Sequence, residues 1–204
     1  YDPVTGAELW RVRGTTDIPC PTAIVGENLI VSSSGLNGPI MAIRPGGRGD
    51  VTETHTIWKR PWGGPYVPTG VIYKDRLFLL ADGGVLRCHD LDTGQEIWAQ
   101  RLHRTYSASL IAGDNLLYAV SERGDVHVLG VDQVDQQPKV LAINRLRERC
   151  LSTPAIAKGE VFIRSSAHLY CIASRQTEVA AIDDAASRAN ILTSAAPATT
   201  SDAR

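Results

Sequence analysis

A chain of 204 residues with 18 glycines and a formal charge of −1 is long enough for a sizeable core. That charge gives it no general attraction for nucleic acid or acidic membrane. No stretch approaches the roughly 18 apolar residues of a membrane span, and short, frequently interrupted apolar runs favour strands over helices.

The first predicted elements are a turn over Asp2-Pro3-Val4-Thr5-Gly6 and a strand over Ala7–Arg13 that contains Trp10. Short strand segments follow at Pro21–Val25, Leu29–Val31 and Ile40–Ile43, separated by Gly-rich turns. The Gly-rich, charged segment Arg44–Thr54 reads as an inserted loop before Ile57-Trp58-Lys59. A second unit has segments at Pro68–Ile72, Arg76–Leu80 and Val85–Cys88, then a Thr93-Gly94 turn into Glu96-Ile97-Trp98. A third matches it at an offset of 40, with Leu116-Leu117-Tyr118 over Arg76-Leu77-Phe78 and Leu141 at the Trp position. A fourth has segments at Thr153–Ile156, Val161–Ile163 and His168–Ile172, and a final strand is predicted over Thr177–Ile182. Residues 184–204, rich in Ala, Ser and Thr, read as a disordered tail.

The segment Asp90-Leu91-Asp92-Thr93-Gly94-Gln95-Glu96-Ile97-Trp98 repeats Asp2-Pro3-Val4-Thr5-Gly6-Ala7-Glu8-Leu9-Trp10. Trp-equivalent positions 10, 58, 98 and 141 are separated by 48, 40 and 43 residues, a period that suits a four-stranded unit. Such a sheet has two faces to cover, and radial stacking as propeller blades covers both. A parallel β-helix has shorter rungs. The expected fold is therefore all-β: four blades plus one leading strand, a partial ring over residues 1–183.

A repeated position is usually a fold position. Trp10, Trp58 and Trp98 are assigned to packing between blades. Gly6 and Gly94 fit turn positions of positive φ, and Asp2, Thr5, Asp90 and Thr93 can hydrogen-bond the turn backbone. Of the four cysteines, Cys88 and Cys171 fall in the third strands of different units and Cys20 and Cys150 before first strands. All four are expected as thiols, with Cys88 and Cys171 acting as small hydrophobes.

The turn-plus-Trp pattern and strand order resemble the PQQ-binding-like β-propeller repeat superfamily. It includes the PQQ-dependent alcohol dehydrogenases and the periplasmic lipoprotein of the outer-membrane β-barrel assembly machinery. The loop Ile43–Asp50 is similar to one in large, exported bacterial propeller proteins. The resemblance implies a ring of seven or eight blades, completed by further sequence or by dimerisation, and a periplasmic or exported location. A quinoprotein would add PQQ, Ca²⁺ and a catalytic Asp, but no residue here maps onto that set. No CxxCH haem site, vicinal Cys pair, nucleophile elbow or P-loop is present.

The expected function is a non-catalytic scaffold that binds a protein or peptide partner through inter-blade loops, without cofactor. The alternatives are a quinoprotein fragment or a carbohydrate- or anion-binding module. Arg44, Arg48, Trp62 and Tyr66 are the candidate ligand surface. The basic runs Arg101–Arg104 and Arg145–Arg149, each between two units, read as solvated loops on one rim.

Overall fold

The computed structural model describes residues 1–173. The predicted strand Thr177–Ile182 and the tail 184–204 lie outside the described residues. Three four-stranded antiparallel sheets and one three-stranded sheet follow one another along the chain. Blade I is β2 (Ile24–Val25), β3 (Ile30–Ser33), β4 (Ile40–Ile43) and β6 (Thr56–Arg60). Blade II is β7 (Val71–Tyr73), β8 (Arg76–Leu80), β9 (Val85–Asp90) and β10 (Glu96–Arg101). Blade III is β11 (Ile111–Gly113), β12 (Leu116–Val120), β13 (Asp125–Gly130) and β14 (Lys139–Arg145). Blade IV is β15 (Ala155–Ala157), β16 (Glu160–Arg164) and β17 (Leu169–Ile172). The first strands of successive blades touch, so they are the inner strands of an arc. The ring is not closed.

The run Leu77-Phe78-Leu79-Leu80 shows why the strands form where they do. All four side chains are at most 1% exposed, because the blade has a neighbour on each face. Leu77 and Leu79 pack with Val31, Ile40 and Ala42 of blade I, whereas Phe78 and Leu80 pack with Leu117, Ala119 and Leu129 of blade III. A third core joins Val120 and Val126 of blade III to Ile163 of blade IV. Burying one such side chain is worth about 1.5–3 kcal/mol. The hairpin turns before the second strands carry consecutive left-handed residues: Lys74-Asp75, Asp114-Asn115 and Lys158-Gly159. Paired positive φ values match the strand twist in tight hairpins.

The outer strands hold the blades together. The Trp58 ring of blade I lies against Gly94 of blade II, where an added Cβ would come within 2.5 Å of it. Its Nε1–H donates to the Leu91 carbonyl at 2.9 Å. Trp98 repeats the bond one blade on, donating to the Val134 carbonyl at 2.9 Å, and packs on Phe78 with ring centroids 5.9 Å apart. The turn that presents Gly94 is closed by Asp90, whose Oδ1 accepts from the Thr93 N–H and hydroxyl at 3.0 and 2.7 Å. Asp2 likewise accepts from the Val4 and Thr5 N–H groups at 2.9 and 2.8 Å. Gly6 and Gly94 share a left-handed φ of 70° and 69°. Both turns are closed by their Asp, but only Gly94 carries a ring; the space beside Gly6 is open.

Three expectations are corrected. Leu141 does not occupy the Trp position: Ala42 faces Trp58, Cys88 faces Trp98, and Val128 faces Ala142. Each outer strand contains a bulge at the residue before that position, and Ile57, Ile97 and Leu141 are the extra residues. They are 41%, 37% and 59% exposed. The segment Arg44–Thr54 is not simply a loop, for it contains β5 (Gly49–Asp50) and one helical turn, α1 (Thr52–His55). The leading strand is shorter than Ala7–Arg13: β1 (Trp10–Arg11) pairs parallel with β5. Half-buried Trp10 faces Gly49 in that ladder, and Arg13 Nε donates to Asp50 at 2.7 Å.

A ladder of hydroxyls links the blades near the arc's inner edge. The Thr22 N–H donates to Thr69 Oγ1, the Thr69 N–H to Ser109 Oγ and the Ser109 N–H to Thr153 Oγ1, at 3.0, 2.9 and 3.1 Å. Cys88 is fully buried in the II–III core and Cys150 in the III–IV core, whereas Cys20 and Cys171 are exposed. Burial pushes the Cys88 thiol up to about 12, which keeps it protonated and unreactive.

Trp98→Ala should destabilise the protein by about 3–5 kcal/mol; urea denaturation showing less than about 0.5 kcal/mol, a typical surface effect, would contradict this packing. Gly94→Ala should cost more than Gly6→Ala. Both pay the left-handed strain of about 1 kcal/mol, but only the former displaces a Trp ring. Equal costs in the same assay would refute the Trp58 seat.

Burial lowers the pKa of His89 and His127 below the ordinary 6.5. The unfolded chain then binds more protons than the native one. Their stability contribution is complete above the unfolded value and is lost as pH falls from there through the depressed native values. The melting temperature should drop on acidification from pH 7 to 5, before the carboxylates titrate, and His127→Gln should flatten that slope. A flat wild-type profile across this window would contradict the neutral buried state.

Candidate binding surface

The antiparallel strands give the arc two rims. One carries the turns between second and third strands together with the linkers from each blade to the next. The other carries the remaining hairpins and the Thr-Gly turns. On the linker rim, each linker is tied to the blade it leaves and to the blade it enters. Leu102 N–H donates to the Gly84 carbonyl at 2.7 Å, and Glu122 N–H to the Thr105 carbonyl at 2.9 Å. Leu146 N–H and Ser166 N–H make the matching bonds at the next junction, to the Gly124 and Arg149 carbonyls at 3.0 and 2.8 Å. Carboxylates add to this web. Asp82 accepts from the Tyr66 and Val67 N–H groups at 2.8 and 3.1 Å, and Glu122 from the Ser107 hydroxyl at 2.7 Å. Five residues after Trp58, Trp98 and Ala142 each linker has a residue of positive φ: Gly63, His103 and Arg147, at 102°, 51° and 60°.

A side-chain clasp marks the last two junctions. Between blades II and III, Arg104 Nε donates to Asp125 at 2.6 Å, with Arg145 at 3.7 Å from the same carboxylate. The corresponding positions between blades III and IV hold Glu148 and His168, 2.7 Å apart. Glu148 also accepts from the hydroxyls of Ser165 and, at 2.9 Å, Tyr170. The Ser165 bond is the main reason its carboxyl lies below the usual range.

The sequence-derived surface does not come together. Arg44 and Arg48 are exposed on the hairpin rim, Arg44 leaving β4 just after Ile43 with its N–H bonded to the His55 carbonyl at 2.8 Å. Trp62, 62% exposed, and half-buried Tyr66 sit on the linker rim, beyond the other end of blade I's strands. The blade's own length separates the pairs. The two basic runs, by contrast, do share the linker rim. Arg147 and Arg149 line a groove of about 400 Å³ with Thr105, Glu122, Arg123 and Glu148. Arg149 also borders a second groove of about 240 Å³ with Leu151, Ser152, Arg164, Ser165 and Ser166. Among the described residues, Arg123, Arg147, Arg149 and Arg164 make no ion pair. Arg123 and Arg164 were missed in the sequence because a turn and a strand end bring them in from elsewhere in the chain.

Among the described residues, no three His, Cys, Asp or Glu side chains converge in a way that could hold a metal ion. The inner strands present Ile24-Val25, Val71-Ile72-Tyr73, Ile111-Ala112-Gly113 and Ala155-Ile156-Ala157. These residues do not fit a Ca²⁺–quinone site, which needs carboxylate and amide donors. No described helix is long and apolar enough to cross a membrane.

Radial four-stranded blades locked by outer-strand tryptophans define an open arc of a PQQ-like β-propeller. A family model described as outer membrane protein assembly factor BamB matches residues 1–202, and the chain belongs to that family. Among solved structures, BamB from Moraxella catarrhalis superposes with a TM-score of 0.58 at 16% identity, over 75% of this chain and 46% of that one. The chain thus spans less than half the length of that relative. The computationally designed Ika4 protein is similar over 81% of this chain and 97% of its own, with a TM-score of 0.65 at 13% identity. The designed Ika8 protein matches 73% of this chain and 44% of its own, with a TM-score of 0.52 at 16% identity. At these identities the likeness concerns the fold. No curated protein matches the chain.

Glu148→Ala should lower the urea midpoint, because the hydroxyls of Ser165 and Tyr170 lose their shared acceptor. Urea denaturation checks this; an unchanged midpoint would class the cluster with ordinary exposed pairs.

Proposed function

We propose that this chain is a non-catalytic propeller scaffold whose linker rim binds a protein or peptide partner, in the periplasm or another exported setting. The observation that carries the reading is the doubly tied linker. Backbone bonds to both flanking blades hold each loop in place while exposed side chains project from it. A surface ordered in advance loses little entropy on binding, the main cost that a recognition surface must limit. Membership of the BamB family supports a protein partner and an exported setting. The quinoprotein alternative lacks a donor set among the described residues.

Photo-crosslinking in the cells that produce the protein tests the reading. A photoreactive residue at Arg123 or Ser166 on the linker rim should capture a defined protein, and one at Lys74 or Lys158 on the hairpin rim should not. Equal capture at both rims would overturn the assignment. Equilibrium dialysis against PQQ and Ca²⁺ should show no uptake, and stoichiometric uptake would favour the quinoprotein.

A further inference from the structure

We infer that the III–IV junction of the linker rim is a docking groove for an extended, carboxylate-rich segment of a protein partner. Arg123, Arg147, Arg149 and Arg164 surround two adjoining grooves with Arg149 between them. Among the described residues, Glu122 and Glu148 are the acids lining the same grooves, and both carboxylates already accept hydrogen bonds from their own neighbours. Four described cations against two described anions give a local excess of +2 in a chain whose formal total is −1. Unpaired guanidinium groups are suited to carboxylates, which they bind through two parallel N–H···O bonds.

The backbone beneath these side chains is fixed. The Arg149 carbonyl accepts from Ser166 N–H at 2.8 Å, the Arg164 carbonyl accepts from the Ser152 hydroxyl at 2.8 Å, and the turn around Arg123 is closed by the Gly124 N–H to Ser121 carbonyl bond at 2.9 Å. The guanidinium groups thus extend from rigid supports, and only their own rotamers are ordered on binding. Two features favour a peptide over nucleic acid. The two glutamates are interleaved with the arginines and would repel a continuous phosphate backbone, and among the described residues no aromatic ring lines either groove for base stacking. Leu151, 44% exposed, adds an apolar contact that a peptide side chain can use.

The proposal rests on the scaffold reading and specifies its partner's chemistry. It is tested by fluorescence anisotropy with a labelled peptide of about eight residues alternating Asp and Ser, on the full chain. Saturable binding is expected that weakens with salt, as screening requires. The Asn-for-Asp peptide should bind about tenfold more weakly, and Arg123→Glu or Arg149→Glu should weaken the acidic peptide by a similar factor. Arg48→Glu, on the opposite rim, should leave it unchanged. Equal binding of the two peptides, or indifference to Arg149→Glu, would overturn the proposal. So would displacement by equimolar inorganic phosphate, or tighter binding of duplex DNA than of peptide. A gain of about tenfold on Asp183→Asn with Asp184→Asn would assign the groove to the chain's own acidic segment instead. Failure of peptide binding alongside intact rim-specific crosslinks removes the acidic chemistry alone; uptake of PQQ would remove the scaffold reading beneath it.

Discussion

One contact organises the arc: the indole of one blade's outer strand resting on the turn glycine of the next. Trp58 on Gly94 combines three constraints. The ring needs a flat surface, which a residue without Cβ supplies. The turn needs a left-handed residue, which glycine adopts without strain. The half-buried indole N–H needs an acceptor, which the Leu91 carbonyl provides. Loss of any one exposes the others, so the glycine and the tryptophan are interdependent although 36 residues apart. The Trp98 to Val134 bond extends the arrangement by one blade, onto a connection that no longer contains a Thr-Gly turn.

The cores depend on that registration. A blade's second strand faces two neighbours, so its side chains are buried on both sides only while adjacent blades keep their angle. Blade II satisfies this and its second strand is almost wholly dry. Blade IV has a described neighbour on one side only, and Leu169 and Ile172 are 71% and 47% exposed. Burial here is therefore a property of the stack rather than of the sheet, as repeat architectures require.

The same stacking creates the rim. Because every linker must reach from an outer strand back to the next inner strand, it crosses both blades and bonds to both. The repeat thus provides a rigid loop at each junction, and side-chain identity varies on a constant backbone. Gly63, His103 and Arg147 all have positive φ and differ in what they display. The exchange of Arg104–Asp125 for Glu148–His168 keeps a clasp while moving the carboxylate from the third strand to the linker. That variation over a fixed frame is what allows one junction to become basic in a chain of nearly balanced charge.

By itself the sequence determined the all-β class and the blade order, because turn chemistry and repeat spacing act locally; Trp58 and Trp98 do bridge blades, whereas Trp10, expected to do the same, lies in the β1–β5 ladder. It misplaced Leu141 by one residue because a bulge adds a residue without changing composition, and the larger side chain looked like the better match. It did not disclose the pairing of β1 with β5, since a parallel pair of two-residue strands leaves no periodic signal. The candidate surface depended most on tertiary structure. Arg44 and Arg48 are near Trp62 in sequence, yet strand direction sends them to opposite rims. Arg123, Arg149 and Arg164 belong to separate segments, and only the stacking of blade IV on blade III brings them around two adjoining grooves.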